Sequence, residues 1–152
     1  MKSLMKTVAL APLFGMPLTG MAAEPEKQHN HQIHKVVFEV AIDDPDKWND
    51  ALRNVENVLK SLGANTTKIE VVAHGRGIGM LLATTAAANP EMKAALEKLH
   101  DNGVVFSACE NTMRRMQISK NQLVPLATTV HSGVSEVIRK QETGYAYIKS
   151  GG

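Results

Sequence analysis

The sequence contains a single cysteine, Cys109, among its 152 residues. One cysteine cannot form a disulfide within its own chain, so no disulfide framework holds this fold together. The thiol is therefore either buried and inert, paired between two chains, or kept as a reactive group. A chain of this length can bury a sufficient core without disulfides, and we expect one folded domain.

An excess of charge of one sign is also absent. The chain has 17 basic and 15 acidic residues, and aromatic residues make up only 4% of it. Without Lys2 and Lys6, which lie in the leader segment described next, the two counts are equal at 15. No basic stripe interleaved with aromatic side chains is present, and we therefore expect no nucleic-acid partner.

The sequence has no apolar run long enough to span a membrane in the mature protein. The apolar run near the N-terminus, residues 8–16, follows two lysines and precedes small residues around Ala22. This order is typical of a secretory signal peptide, to which we assign residues 1–23. We expect cleavage between Ala22 and Glu24 and export, most simply to a bacterial periplasm.

Residues 24–34 form a polar lead-in that carries His29, His31 and His34. Imidazole nitrogens in such a tract can bind copper, nickel or zinc. The composition of a short tract is a weak signal, however, and a solvated, flexible tail is the favoured interpretation. Weak binding of copper or nickel by these histidines is the alternative.

Residues 35–150 alternate between β-branched apolar runs and amphipathic segments. We predict strands at residues 36–42, 68–73, 104–109 and 145–148, and a further strand within residues 123–130, after Pro125. Helices between them are indicated by apolar residues at spacings of three and four, and by the start signals Asp44-Pro45 and Asn89-Pro90. This alternation predicts a three-layer α/β/α fold with a mostly parallel five-stranded sheet.

Two of the predicted helices have apolar positions that we expect to be buried. They are Val134, Val137 and Ile138 in the last helix, and Met113, Met116 and Ile118 after the cysteine. Their helical spacing favours packing, so we interpret the methionines as core residues rather than as metal ligands.

A glycine-rich segment, His74–Gly79, follows the second predicted strand. Glycines in this place let the backbone approach an anion closely, so Gly75, Arg76 and Gly77 are candidate ligand-binding residues. The segment lacks the Gly-x-Gly-x-x-Gly spacing of a dinucleotide site. A tight turn is therefore favoured over a cofactor site.

The third predicted strand ends at Cys109, and the polar residues after it are able to start a helix. Ligands of α/β proteins bind outside the carboxyl ends of the strands, so Asn111 and Thr112 are candidate ligand-binding residues beside the thiol. The unpaired N–H groups of a helix N-terminus favour the thiolate. His74, at another strand end, either forms a structural hydrogen bond or faces Cys109 across the crevice.

Cys109 and Arg115 also fit the Cys-x5-Arg spacing with which phosphatases and rhodaneses wrap an oxyanion. The residues between them contain no glycine and include Glu110, whose carboxylate would repel phosphate. Catalysis of that kind is therefore disfavoured.

A wider set of residues around these strand ends carries a resemblance to a known family: Val71–Gly75, Gly77-Ile78, Leu81-Leu82, Gly103-Val104, Phe106, Ala108-Cys109, Asn111-Thr112, Gly133-Val134, Glu136 and Gly144–Ile148. On these residues the chain resembles the DsrE/DsrF-like family from about His34 onward. The resemblance implies an α/β/α fold and a sulfurtransferase-type sulfur carrier. In such relays the cysteine at the position of Cys109 accepts sulfane sulfur as a persulfide and passes it on.

The resemblance also implies a homo-oligomer, a trimer or hexamer, with a sulfur donor and a sulfur acceptor as partners. We expect the apolar residues 78–82 to need cover in such an assembly. Persulfide transfer requires no metal or organic cofactor, and we expect none. The alternative is a non-catalytic, oligomeric module that binds a small ligand and in which Cys109 only lines the crevice. Fast alkylation of the thiol at neutral pH would indicate the carrier, and slow alkylation the binding module.

Overall fold

Five strands alternate with helices along residues 32–151, the part of the chain that the computed structural model describes. The strands are β1 (His34–Val40), β2 (Thr67–Ala73), β3 (Val105–Cys109), β4 (Ala127–Val130) and β5 (Ala146–Ser150). The α-helices are α1 (Pro45–Leu62), α2 (Ala83–Ala88), α3 (Pro90–Asp101), α4 (Glu110–Met116) and α5 (Gly133–Glu142). A 3-10 segment, Gly75–Leu81, connects β2 to α2. Within residues 32–151, no helix has the length and apolar character needed to cross a bilayer.

All five strands run parallel in one sheet, in the order β4-β3-β2-β1-β5. Helices α1 and α3 pack on one face of the sheet, and α5 packs on the other. The predicted α/β/α fold with a mostly parallel five-stranded sheet is therefore confirmed. Because the strands are parallel, their carboxyl ends meet at one edge, where β2 and β3 lie side by side.

The helix starts follow their sequence signals. The Asp44 carboxylate accepts the N–H of Asp46 at 3.0 Å and caps α1, with proline at the first helical position. The Asn89 side chain accepts the N–H of Met92 at 3.0 Å and caps α3 in the same way. Each cap satisfies a backbone donor that the helix itself leaves unpaired.

The fourth strand begins at Ala127, after Pro125, as predicted. Pro125 has no N–H to donate to a strand ladder, which accounts for this start. Leu123 instead forms an isolated antiparallel bridge with Leu82.

The face of the sheet beneath α1 and α3 is apolar, and Phe38 and Phe106 are completely buried there. The apolar residues 78–82, which we expected to need cover from another chain, also pack into this core. Three of them are 0% exposed: Ile78, Met80 and Leu81. That expectation is wrong, because the 3-10 segment folds back over the end of the sheet and buries these side chains within the chain itself.

The opposite face holds a buried ion pair beneath α5. Glu70 of β2 is 4% exposed, accepts a hydrogen bond from the Ser107 hydroxyl at 2.6 Å and lies 2.5 Å from the Lys140 ammonium of α5. Burial lowers the pKa of Lys140, but the hydrogen bond and charge of Glu70 raise it by more. Lys140 therefore remains charged and ties α5 to the middle of the sheet.

This pairing decides which side chains of α5 face the sheet. Lys140 and the neighbouring Glu136, 25% and 14% exposed, take part in the inward stripe beside Val137. Val134 and Ile138 consequently point outward and are 54% and 50% exposed. The prediction of burial is confirmed for Val137 and is wrong for the other two.

The two methionines after the cysteine also differ in burial. Met113 is buried in the core, whereas Met116 is 45% exposed at the last position of α4. The helix ends there because Gln117 adopts a left-handed conformation, with φ of 54°. Ile118 thus lies beyond the helix, although it still packs against the core.

Close packing explains two glycines of the segment after β2. A β carbon at Gly77 would lie 2.3 Å from the carbonyl oxygen of Val40, and one at Gly79 would lie 2.7 Å from the Trp48 ring. Real β carbons do not approach other atoms so closely. The segment can therefore lie against β1 and α1 only with glycine at these positions, in agreement with the tight-turn interpretation.

We predict that Gly77→Ala lowers the free energy of unfolding by about 3 kcal/mol, because the added methyl group meets backbone that cannot move aside. Urea denaturation at a fixed protein concentration measures the change. Arg76→Ala is the control, since Arg76 is the exposed neighbour in the same segment and its loss should cost less than about 0.5 kcal/mol. Equal stabilities for the two variants would contradict the packing explanation.

Candidate functional site

Cys109 is the last residue of β3 and also the N-cap of α4. Its sulfur accepts the backbone N–H of Thr112 at 3.4 Å, as an N-cap side chain does. The residue is 5% exposed, so the thiol sits just below the surface at the carboxyl edge of the sheet. The sequence-based placement of this cysteine, at a strand end and before a helix, is confirmed.

Backbone N–H groups from two helices converge on the Cys109 sulfur. The N–H of Thr112, in the first turn of α4, donates to the sulfur at 3.4 Å. The N–H of Asn111, which donates to the His131 carbonyl oxygen at 3.2 Å, and the first N–H of α5, from Gly133, also act on the sulfur and lower its pKa. These donors stabilise the thiolate, which is the nucleophilic form of cysteine, more than the neutral thiol. The sulfur therefore occupies a small anion-stabilising pocket built from main-chain atoms.

The hydroxyl of Thr112 adds a side-chain donor to this pocket. It accepts the N–H of Gly75 at 3.0 Å, which leaves its own hydrogen available for the Cys109 sulfur. Gly75 has a φ of 54°, a left-handed conformation that favours glycine. Thr112 thus connects the segment after β2 to the thiol at the end of β3.

These interactions determine the acidity of the thiol. Burial raises the pKa of Cys109, but the hydrogen bonds from the Thr112 hydroxyl and from the N–H groups of Gly133, Thr112 and Asn111 outweigh it. The net effect is a pKa below the usual range for cysteine. Cys109 is therefore ionised to a greater extent at neutral pH than a free thiol.

His74 lies beside Cys109, one residue beyond the end of β2. A β carbon on Gly133 would be 2.8 Å from the β carbon of His74 and 3.2 Å from that of Cys109, so both side chains flank the same glycine. The imidazole is directed towards β1, where its Nε2 is 2.6 Å from the Glu39 carboxylate. Within residues 32–151, His74 makes no hydrogen bond to the thiol.

Three residues near the site were not identified from the sequence: Glu39, Tyr147 and Gly133. Glu39 of β1 bonds to His74 through one carboxylate oxygen and accepts the Tyr147 hydroxyl of β5 on the other. The only local signal was a carboxylate in the middle of the apolar first strand. Gly133 was noted as a helix start, but its contact with two other strand ends depends on where α5 packs.

The remaining predicted site residues take different places. The side chain of Arg76 is exposed, and Gly77 is buried against β1. The Asn111 side chain accepts a hydrogen bond from Arg114 and faces outward on α4. Arg115 lies in the last turn of α4, so the residues after Cys109 form a helix and not an anion-binding loop.

Metal ligation has little structural support in the described part of the chain. His34 is the first residue of β1, whereas His29 and His31 lie outside the described residues. Among residues 32–151, no group of three or more histidine, cysteine or acidic side chains is arranged to hold a metal ion.

Comparisons with known proteins found one matching family model and solved structures with a similar fold. The model of the DsrE/DsrF-like family matches residues 28–150. Protein MTH1491 of Methanobacterium thermoautotrophicum, a protein of unknown function, is 32% identical and superposes with a TM-score of 0.68 over 76% of this chain and 98% of its own. The ychN protein of E. coli is 13% identical, with a TM-score of 0.59 over 77% of this chain and 99% of its own. No protein of curated function matches the chain significantly.

The Thr112 hydroxyl provides a direct test of the thiol environment. Thr112→Val keeps the shape of the side chain but removes the donor, so the pKa of Cys109 should rise and the thiolate should form at higher pH. We expect alkylation by iodoacetamide at pH 7 to slow by roughly three- to tenfold, which corresponds to the net worth of one ordinary hydrogen bond, about 1 kcal/mol. Thr112→Ser, which restores the hydroxyl, should recover the rate. Identical pH profiles for all three proteins would show that the hydroxyl does not act on the sulfur.

Proposed function

The chain belongs to the DsrE/DsrF-like family, and on that basis we propose that it is a sulfur carrier that holds sulfane sulfur as a persulfide on Cys109. The observation that carries the proposal is the position of the only cysteine of the chain. Its sulfur caps α4 and accepts the N–H of Thr112 at 3.4 Å, and its pKa is lowered by the Thr112 hydroxyl and by the nearby N–H groups of Asn111 and Gly133. A sulfur carrier needs a thiolate at neutral pH, and this arrangement supports one.

The chemistry follows from thiol exchange. The Cys109 thiolate attacks a sulfane sulfur of the donor and forms a new S–S bond, while an S–S bond of the donor breaks and its sulfur leaves with the electron pair. The persulfide has one sulfur atom more than the thiol, and a thiol acceptor removes it by a second exchange. Neither step needs an external oxidant or a metal.

The limited exposure of the thiol restricts which sulfur donors can reach it. With Cys109 only 5% exposed, a small inorganic polysulfide has easier access to the sulfur than a folded partner protein. A donor protein would need to present its sulfur on an extended segment that enters between α4 and the start of α5. We propose that donor and acceptor meet the carrier at this edge of the sheet, in the periplasm if residues 1–23 are removed on export.

Loading of Cys109 with sulfur tests the proposal. After incubation with inorganic polysulfide, the intact mass of the mature protein should increase by about 32 Da per sulfur atom added to the thiol. Excess thiol acceptor should remove the gain, and Cys109→Ser, the matched control, should show none. Purification without reductant preserves any sulfur already bound.

Two outcomes would contradict the carrier function. One is the absence of a mass gain on the native protein, and the other is an equal gain on the serine variant. Slow alkylation of Cys109 until the protein is unfolded would favour the alternative, a small-ligand binding module that the thiol only lines.

We also propose that the chain assembles with copies of itself, as a trimer or hexamer, through the outer side of α5. Val134 and Ile138 are one helical turn apart on this side, and both are at least half exposed. Adjacent large apolar residues on a helix surface are typical of a protein–protein interface. The earlier candidate for this role, the segment 78–82, is buried within the chain and does not contribute.

A charge on α5 should disrupt the assembly. Light scattering of the mature protein at micromolar concentration should give the mass of a trimer or hexamer, whereas Ile138→Lys should give a monomer. Leu62→Lys is the control, because Leu62 is 39% exposed at the end of α1, on the other layer of the fold. A monomeric wild type, or dissociation by both variants alike, would contradict an interface on α5.

A further inference from the structure

Four polar side chains lie in strand order on one face of the sheet. Cys109 and His74 are at its carboxyl edge, whereas Tyr147 is the second residue of its strand and is in register with Val37. Cys109 belongs to β3, His74 follows β2, Glu39 belongs to β1 and Tyr147 belongs to β5, and these strands are consecutive neighbours in the sheet. Within this row Tyr147 donates to Glu39, and Glu39 bonds to Nε2 of His74 at 2.6 Å. The row therefore leads from the surface of β5 to the side chain next to the thiol.

Building on the sulfur-carrier function, we propose that His74 exchanges a proton with Cys109 and that Glu39 and Tyr147 are positioning residues for its imidazole. An ionised carboxylate can only accept hydrogen bonds, so the Nε2 of His74 bonded to Glu39 carries hydrogen. In the neutral form of the ring, the free lone pair is then on Nδ1. Within residues 32–151 no hydrogen-bond partner occupies that atom, which makes it the proton acceptor nearest in the row to the thiol.

The ionisation states along the row agree with this direction. Burial raises the pKa of Glu39, but hydrogen bonds from Tyr147 and His74 and the charges of His74 and Lys149 lower it by more. The carboxylate is thus negative at neutral pH and stabilises a positive imidazole. The hydrogen bond to Glu39 raises the pKa of Tyr147 to about 12, so the phenol remains a donor throughout the physiological range.

The proton transfer completes the sulfur exchange without any further reagent. Cys109 gives its proton to Nδ1 of His74, and the thiolate uses its electron pair to form the new S–S bond. The donor's S–S bond breaks, its leaving sulfur departs with the electron pair of that broken bond, and the His74 imidazolium gives its proton to the leaving sulfur. Proton transfer requires a hydrogen bond or one intervening water molecule, and such bonds are often formed only when the substrate is bound.

The direction in which Glu39→Gln shifts the pH midpoint of Cys109 alkylation distinguishes this role from a simple charge effect. Glu39→Gln removes a negative charge, and by Coulomb's law alone that would stabilise the nearby thiolate and move the pH midpoint of Cys109 alkylation downward. If Glu39 acts by supporting the positive charge of His74, the same change should move the midpoint upward. His74→Ala should move it upward as well.

A double-mutant cycle then tests whether Glu39 acts through His74. We expect His74→Ala to slow alkylation at pH 7 and polysulfide loading by about tenfold, less than the 10²–10⁴-fold of a fully engaged acid–base group, since the resting structure has no thiol–imidazole hydrogen bond. Glu39→Gln should slow both to a smaller extent, and in the His74→Ala background it should have no further effect. Tyr147→Phe, a mild change at a residue 41% exposed, should shift the profile in the same direction as Glu39→Gln.

Glu110→Gln is the charge control. Glu110 follows Cys109 directly, is 41% exposed, and its carboxylate lies 3.9 Å from His131, outside the row. Lys149 of β5 also acts on the row, through its charge on Glu39. Loss of the Glu110 charge should leave the midpoint unchanged or lower it.

The proposal is overturned if Glu39→Gln lowers the midpoint, or if its effect remains in full when His74 is absent. Sulfur loading of the wild type is read separately by mass. If the wild type loads sulfur but the Glu39 and His74 variants alkylate and load as the wild type does, only the roles proposed for these two residues are rejected. If the variants shift the midpoint as expected but the wild type takes up no sulfur, the carrier function is rejected and the roles of His74 and Glu39 at the thiol are supported.

Discussion

The close approach of α5 to the ends of β2 and β3 is the contact on which the site depends. Residue 133 has no side chain, so its N–H reaches the Cys109 sulfur and its α carbon packs between Cys109 and His74. Any larger residue would displace the start of the helix and withdraw both the N–H and the positive end of the helix dipole from the thiol. The same contact therefore determines how α5 packs and how acidic the cysteine is.

Different interactions hold the helices on the two faces of the sheet. Beneath α1 and α3 the contacts are apolar, whereas beneath α5 the contact includes the buried pair of Glu70 and Lys140. A buried ion pair adds little net stability compared with an apolar contact, because both charges lose their water, but it holds the helix in one orientation. That orientation directs Gly133 at the thiol and leaves Val134 and Ile138 facing away from the sheet.

The comparisons show that the fold and the reaction of this chain have to be argued from different residues. The ychN protein shares the fold at 13% identity, so the arrangement of strands and helices tolerates replacement of most residues. A shared fold does not define a reaction, which is a property of particular side chains. Here those side chains are Cys109 and the groups that contact it, and the function proposed for this chain is argued from them together with family membership.

Sequence alone determined the features that depend on neighbouring residues: the strands and helices, the caps at Asp44 and Asn89, the α/β class, and a cysteine between a strand and a helix. Period, capping and turn chemistry act over a few residues and can be read directly from the chain. The tertiary structure alone decided which residues of α5 are buried, and that Glu39, Tyr147 and Gly133 lie at the site. These side chains come from separate strands and a helix, and their contacts arise from the strand order and from the Glu70–Lys140 pair, because hydrogen bonds and charge pairs depend on distance in space and not on separation along the chain.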